Sequence, residues 1–218
     1  MLTFLRPGFA PHAVPYDVAW AEQRRLHGQR VAGLIEDVCL LLEHPSVYTA
    51  GRRTEPHERP LDGTPVVEVD RGGKITWHGP GQLVGYPIIQ LPSGVYVVDY
   101  VRRIEAALIE VCADLGVTAI RVKGRSGVWT VDGQRKLAAI GIRVSRGVTM
   151  HGFALNADCD LAPYHRIVPC GITDAGVSTL SLETGRQVTV AEAVEAVERR
   201  LPSALETPVG RALAPIAR

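Results

Sequence analysis

Cys170 stands between Pro169 and Gly171 in the run Ile167-Val168-Pro169-Cys170-Gly171-Ile172. A rigid residue before it and a permissive one after it suit a turn that presents a thiol. The thiolate is the form of cysteine that attacks. The other three cysteines read differently. Cys39 lies in the apolar run Val38-Cys39-Leu40-Leu41-Leu42, and Cys112 lies on the packed side of a long apolar-striped helix. Cys159 stands between Asp158 and Asp160, whose charges raise a thiol pKa. On residue type alone, a simple buried thiol stays open as the alternative for Cys170.

The bases are unusual in kind. Of the 24 basic residues only Lys74, Lys123 and Lys136 are lysines, and the rest are arginine. Arginine stays protonated in proteins, whereas lysine can release its proton. A lysine retained in such a chain is a candidate for proton transfer, set against the alternative of an ordinary solvated charge. Lys136 opens the run Leu137-Ala138-Ala139-Ile140-Gly141-Ile142, a strand of mostly small residues with room for an extended aliphatic chain. Its alternative role is a strand-edge lysine that discourages aggregation.

A third group is Arg71-Gly72-Gly73-Lys74-Ile75-Thr76-Trp77-His78-Gly79-Pro80-Gly81-Gln82. So many glycines lose backbone entropy on folding, but they let the main chain approach a ligand closely. Arg71 could bind a phosphate or carboxylate, and His78 could hydrogen-bond inside a site. A tight hairpin with Arg71 in solvent is the alternative.

These residues need a framework. Leu2–Leu5, Val38–Leu42, Val66–Val69 and Leu83–Ile89 read as strands, and Pro15 opens a helix to about Arg30. Residues 51–65 read as an exposed loop. Val97, Tyr100, Val101, Ile104, Leu108, Val111 and Leu115 form one helical stripe, which Gly116 stops. Residues 117–156 read as short strands and hairpins, with Asp132-Gly133 as a turn signal. Thr189-Val190-Ala191-Glu192 is a capping box for a last helix to about Arg200. The expected fold is a single α/β domain over 1–201, a mixed and mostly antiparallel sheet flanked by helices, with 202–218 as a flexible tail.

A formal net charge of +1 argues against a dedicated nucleic-acid surface. The first 16 residues carry Pro7, Gly8, Pro11 and Pro15 and no long apolar run, so neither a signal peptide nor a membrane span is expected. A cytoplasmic location follows as an expectation. There is no Cys-x-x-Cys pair and no histidine cluster at zinc-ligand spacing, so free thiols and no metal are expected.

Three separated segments together resemble the lipoyl(octanoyl) transferases, the lipoate-protein ligase B family. They are RGGKITWHGPGQ at 71–82, GVW at 127–129 with RKLAAIGIRV at 135–144, and HGFALN at 151–156 with IVPCGI at 167–172, in the family's order. The resemblance extends from Glu43 to Leu182. Trp77 stands where tyrosine is more frequent and Ser126 where threonine is usual. Asn156-Ala157-Asp158-Cys159 departs from the more usual Asn-Val-Asn.

The resemblance implies an α/β fold related to biotin and lipoate protein ligase catalytic domains. It implies that Cys170 carries the acyl thioester and that Lys136 pairs with it. It implies acyl contacts from Arg71, Gly72, Gly73, Lys74, Ile75, Thr76, Trp77 and His78, from Ala139, Ile140 and Gly141, and from Gly152, Phe153 and Ala154. The implied donor is octanoyl-acyl carrier protein. The implied acceptors are lysines of lipoyl domains, those of the 2-oxoacid dehydrogenase complexes and the glycine cleavage H protein, with no ATP or metal required.

The chemistry is self-consistent. A lysine ammonium favours the thiolate, backbone N–H groups near Gly141 or Gly171 could hold the oxyanion, and a neutral lysine could deprotonate the incoming amine. The rivals are an ATP-dependent lipoate or biotin ligase, which needs no cysteine, a thioesterase, and a non-catalytic protein that binds acyl carrier protein.

Overall fold

A computed structural model describes residues 2–171, 174–206 and 216–217; Cys170, Glu206, Ile216 and Ala217 are described by backbone alone. The chain order is β1 (Thr3–Gly8), α1 (Tyr16–Val31), β2 (Val38–Leu42), β3 (Val47–Ala50), β4 (Val66–Glu68), β5 (Thr76–His78), β6 (Gln82–Ile88) and α2 (Val97–Asp114). It continues with β7 (Ala119–Val122), β8 (Arg125–Thr130), β9 (Arg135–Ser145), β10 (Val148–Asn156), β11 (Gly176–Val177), α3 (Leu180–Thr184), α4 (Val190–Glu206) and β12 (Ile216–Ala217).

The main sheet runs β1-β2-β6-β10-β9-β8-β7-β12, with β11 pairing with β9. The pairs β1–β2, β9–β11 and β7–β12 are parallel and the others antiparallel, which is the mixed, mostly antiparallel α/β architecture expected. A small second sheet, β4-β3-β5, carries the end of the Gly-rich segment.

The alternation of side chains along each strand gives the main sheet two different faces. Leu83, Ala138, Ile142, Phe153 and Leu155 point to the large core, where they meet Ile104, Leu108 and Val111 of α2 and Val194, Val197 and Leu201 of α4. Each of the larger side chains, leucine, isoleucine, valine or phenylalanine, contributes roughly 1.5–3 kcal/mol through burial. Leu40, Val84, Tyr86 and Ala154 point the other way, towards Ala19 and Leu26 of α1. That second face holds the site.

The last helix starts on the expected box: the Thr189 backbone N–H donates to Glu192 and the Glu192 N–H donates to Thr189 Oγ1. It does not stop near Arg200. It passes through Pro202 to Glu206, where Leu205 is buried and its carbonyl accepts a 2.8 Å bond from Arg103. Tertiary packing outweighs the donor that proline removes. Part of the segment expected as a flexible tail is therefore helix, and Ile216–Ala217 pairs with β7. Residues 207–215 lie outside the described residues.

Candidate active site

A cavity of about 240 Å³ opens on the α1 side of the sheet, between β9, β10 and the Gly-rich segment. Its floor is made of small residues in register. Ala139 pairs with Ala154 and Gly141 with Gly152, so two successive pairs on this face of the sheet present almost no side chain. Gly152 is forced: a Cβ there would sit 2.1 Å from the Gly85 carbonyl oxygen. Ile140 and Phe153 border the cavity, but their side chains pack into the core on the opposite face.

The Gly-rich segment forms a rigid wall. Arg71 is buried, and four of its N–H donors are engaged within the chain. They donate to the carbonyls of Gly72 (3.1 Å), Lys74 (2.9 Å) and Thr49 (2.9 Å) and to Thr49 Oγ1 (2.9 Å). Arg71 thus holds its own loop in shape and also lines the cavity, where it was expected to contact the substrate. Asp70 ties the start of the loop to Arg143 and, at 2.8 Å, to Nε2 of His151. The Gly72 N–H donates to the Ile142 carbonyl at 2.9 Å, which lays the loop against β9.

Strand alternation then sorts the rest of the segment. Lys74, Thr76 and His78 line the cavity, whereas Ile75 and Trp77 face a small separate core with Tyr48, Tyr164 and Ile167. Trp77 donates to Ser46 at 2.9 Å and meets the Tyr164 ring edge-on. Of the residues expected to touch the acyl group, Gly72, Ile75 and Trp77 therefore do not line the cavity. The segment looked like a turn in sequence, and the period-2 pattern of β5 was hidden in it.

Tyr16, Arg53 and Tyr86 complete the walls and carried no sequence signal. Gly124, Arg125 and Ser126, just before the GVW segment, and His151, at the start of HGFALN, also line it. The histidines are buried and neutral. His78 Nδ1 donates to Gln82 Oε1 at 2.7 Å, because the Gln82 amide donates to Asn156. Burial, the first cause, and the neighbouring His44 push the His78 pKa down to about 3. His44 donates through Nδ1 to the Val14 carbonyl and accepts from the Tyr86 hydroxyl at 2.7 Å, and burial brings it down to about 4.

Lys136 sits on the cavity wall because of a bulge. Val128 pairs with Ala138 but Trp129 pairs with Lys136, which skips a residue and re-aims the side chain. Its Nζ lies 4.7 Å from the centre of the buried Trp129 ring. Among the described residues no carboxylate lies within ion-pair distance of this ammonium. Gly127, at φ +113°, lets β8 come close: a Cβ there would be 2.4 Å from the Ala138 oxygen.

Pro169–Gly171 forms a single 3-10 turn, closed by the Gly171 N–H donating to the Val168 carbonyl at 3.0 Å. The Cys170 side chain lies outside the described residues. The turn itself abuts Lys74, which also lines the cavity. Cys39, Cys112 and Cys159 are buried thiols, and burial raises Cys112 and Cys159 to about 12.

A small-floored cavity, a lysine placed by a bulge and a cysteine-bearing turn that abuts a cavity-lining lysine lie on one face of this mixed α/β sheet. The chain belongs to the lipoyl protein ligase A/B catalytic domain family, whose model matches residues 15–201. It is 63% identical over 209 residues to an octanoyltransferase of Salinispora tropica, covering 94% of this chain and 96% of that one. It is 65% identical over 204 residues to an octanoyltransferase of Acidothermus cellulolyticus, covering 92% and 90%. Among solved structures it is similar in fold to lipoate-protein ligase A bound with ATP (TM-score 0.66, 12% identity, 94% and 84% covered). It is also similar to a biotin protein ligase of Aquifex aeolicus (TM-score 0.52, 14% identity, 94% and 70% covered). Among the described residues no helix is long and apolar enough to cross a membrane.

Proposed function

We propose that this chain is an octanoyltransferase that works by a covalent thioester on Cys170. The reading rests on family membership, on relatives of 63–65% identity that bear that name, and on one feature of the site. Two of the three lysines in the chain line one small-floored cavity, and one of them abuts the Cys170 turn.

In the first half-reaction the Cys170 thiolate attacks the thioester carbon of octanoyl-acyl carrier protein. A new C–S bond forms as the old one breaks, and the phosphopantetheine thiolate leaves and takes a proton. In the second, the amine of a lipoyl-domain lysine attacks the Cys170 thioester, an amide forms, and the Cys170 thiolate is released. The amine must lose a proton, and neutral Lys136 is the group proposed to receive it. Lys136 lines the cavity with no carboxylate partner among the described residues, which leaves its nitrogen open to an incoming group. Conversion of a thioester to an amide is downhill, so neither nucleotide nor metal is required.

The rival is an ATP-dependent ligase on the same fold. Transfer from octanoyl-acyl carrier protein to a lipoyl domain, with no nucleotide and with excess chelator, tests the choice. Full transfer is expected. A strict need for ATP would move the chain to the ligase class.

A further inference from the structure

We infer that the Lys74–Glu58 ion pair is the seat of the nucleophile turn, and that its two charges set the thiolate balance of Cys170. This rests on the reading of Cys170 as the nucleophile and adds positioning residues to it.

The contact is close. Gly171 adopts φ +67°, and a Cβ at that position would lie 2.3 Å from Lys74 Cδ, 2.6 Å from Lys74 Nζ and 2.6 Å from Glu58 Oε1. The turn therefore rests directly on the ion pair, and only a glycine fits both the backbone angle and the space. Glu58 is 1% exposed and Lys74 30% exposed, so the carboxylate is shielded from solvent and the ammonium partly open to it. The same loop holds the turn by its main chain: the Val168 N–H donates to the Glu58 carbonyl at 3.1 Å.

Glu58 is fixed from its own side. The Glu55 N–H donates to Oε2 at 2.8 Å, and the Lys74 ammonium donates to Oε1. Burial opposes ionisation of Glu58, and these hydrogen bonds outweigh it and keep the carboxyl below its usual range. Because Glu58 is buried, removing Lys74 leaves a buried charge unpaired, and removing Glu58 leaves the ammonium without its partner. The residue touching the unpaired charge is the one next to Cys170.

Other charged and titratable groups surround the turn. His57 adjoins Glu58, and His78 lies on β5, which packs against the turn. Lys136 lies on β9, whose β11 partner follows the turn. His165 and Arg166 precede it, and Arg166 pairs with Asp62. Asp174 follows and pairs with Arg125. None of these other groups supplies any of the three atoms nearest a Cβ at Gly171, which belong to Lys74 and Glu58.

The test is the pH dependence of Cys170 alkylation by iodoacetamide in the full chain, read by peptide mapping, for Glu58→Gln, Lys74→Met and Lys74→Arg. Glu58→Gln leaves an unpaired ammonium and should lower the midpoint by about one pH unit; Lys74→Met leaves an unpaired carboxylate and should raise it by a similar amount. Lys74→Arg should return the midpoint towards that of the parent. A merely structural seat would change rates and thermal stability without moving the midpoints in opposite directions. Unmoved midpoints, or shifts of one sign in both variants, would overturn the proposal. Octanoylation of the parent chain is followed in parallel by intact mass. Loss of the Cys170 reading would appear there, as no acyl group on Cys170, independently of the midpoints.

Discussion

The Lys136 ammonium lies 4.7 Å from the centre of the Trp129 ring, across a strand pair thrown out of register by a bulge at that position. Trp129 is fully buried, and Arg125 also approaches its ring at 5.6 Å. The ring is thus a fixed, uncharged surface that holds the lysine without pairing its charge. A desolvated cation–π contact contributes up to about 2 kcal/mol. Trp129→Phe keeps a ring face and should stay within a few-fold of the parent. Trp129→Leu should slow transfer from isolated acyl-enzyme by about tenfold or more, measured in a single turnover beside a thermal unfolding curve. Equal rates in both variants would remove the ring from the mechanism.

Lys136→Arg separates charge from proton transfer. Arginine can still favour the thiolate but cannot release a proton near neutral pH, its pKa lying above about 12. The arginine variant should form the acyl-enzyme and then accumulate it, with turnover nearly as low as in Lys136→Ala. Rapid single-turnover mixing that follows each half-reaction distinguishes the two roles. Full turnover in the arginine variant would exclude the base role.

The floor of the cavity sets the room for the acyl chain. Ala139 faces Ala154 across β9 and β10, and a larger side chain there would project into about 240 Å³ of space. Ala139→Leu should shift preference towards shorter acyl groups, because each methylene excluded from an apolar site forfeits about 0.8 kcal/mol. The check is kcat/KM across a series of acyl-carrier thioesters. An unchanged octanoyl-to-butanoyl ratio would put the acyl chain elsewhere.

The buried histidines make stability pH-dependent in a definite direction. His44, His78 and His151 are lowered by burial to about 4, about 3 and about 3. In the unfolded chain they take up protons below about pH 6.5, while the folded chain takes them up only near their lowered values. The unfolded state therefore binds more protons between these limits, and stability rises with pH across that window. Each histidine contributes up to about 1.4 kcal/mol per pH unit. Urea unfolding from pH 7.5 to 5 should show falling stability, with a shallower slope in His44→Gln. A flat profile in the parent would contradict the neutral, buried assignment.

Much of the frame is legible in the sequence because it rests on local patterns. The stripe from Val97 to Leu115 predicts α2, the apolar run at Val38–Leu42 predicts β2 without error, and Thr189 with Glu192 predicts the start of α4. The small-residue run at 137–142 predicts the open floor. What the sequence hides is long-range. Tyr16 and Tyr86 reach the cavity only because α1 and β6 come together across the sheet. Arg71 reads in sequence as a ligand-binding cation, and one of its carbonyl partners, that of Thr49, comes from chain distant in sequence. The helix through Pro202 depends on α2 packing against α4, which no local signal near Pro202 records.

The central claim is the acyl-enzyme on Cys170, and intact mass of the chain after mixing with octanoyl-acyl carrier protein tests it most directly. A gain of one octanoyl group is expected, mapped by peptide digestion to Cys170 and absent in Cys170→Ala. Cys39, Cys112 and Cys159 should stay unmodified, since burial raises all three thiols. A chain that completes transfer with no covalent octanoyl group, or that carries the group on another residue, would contradict it.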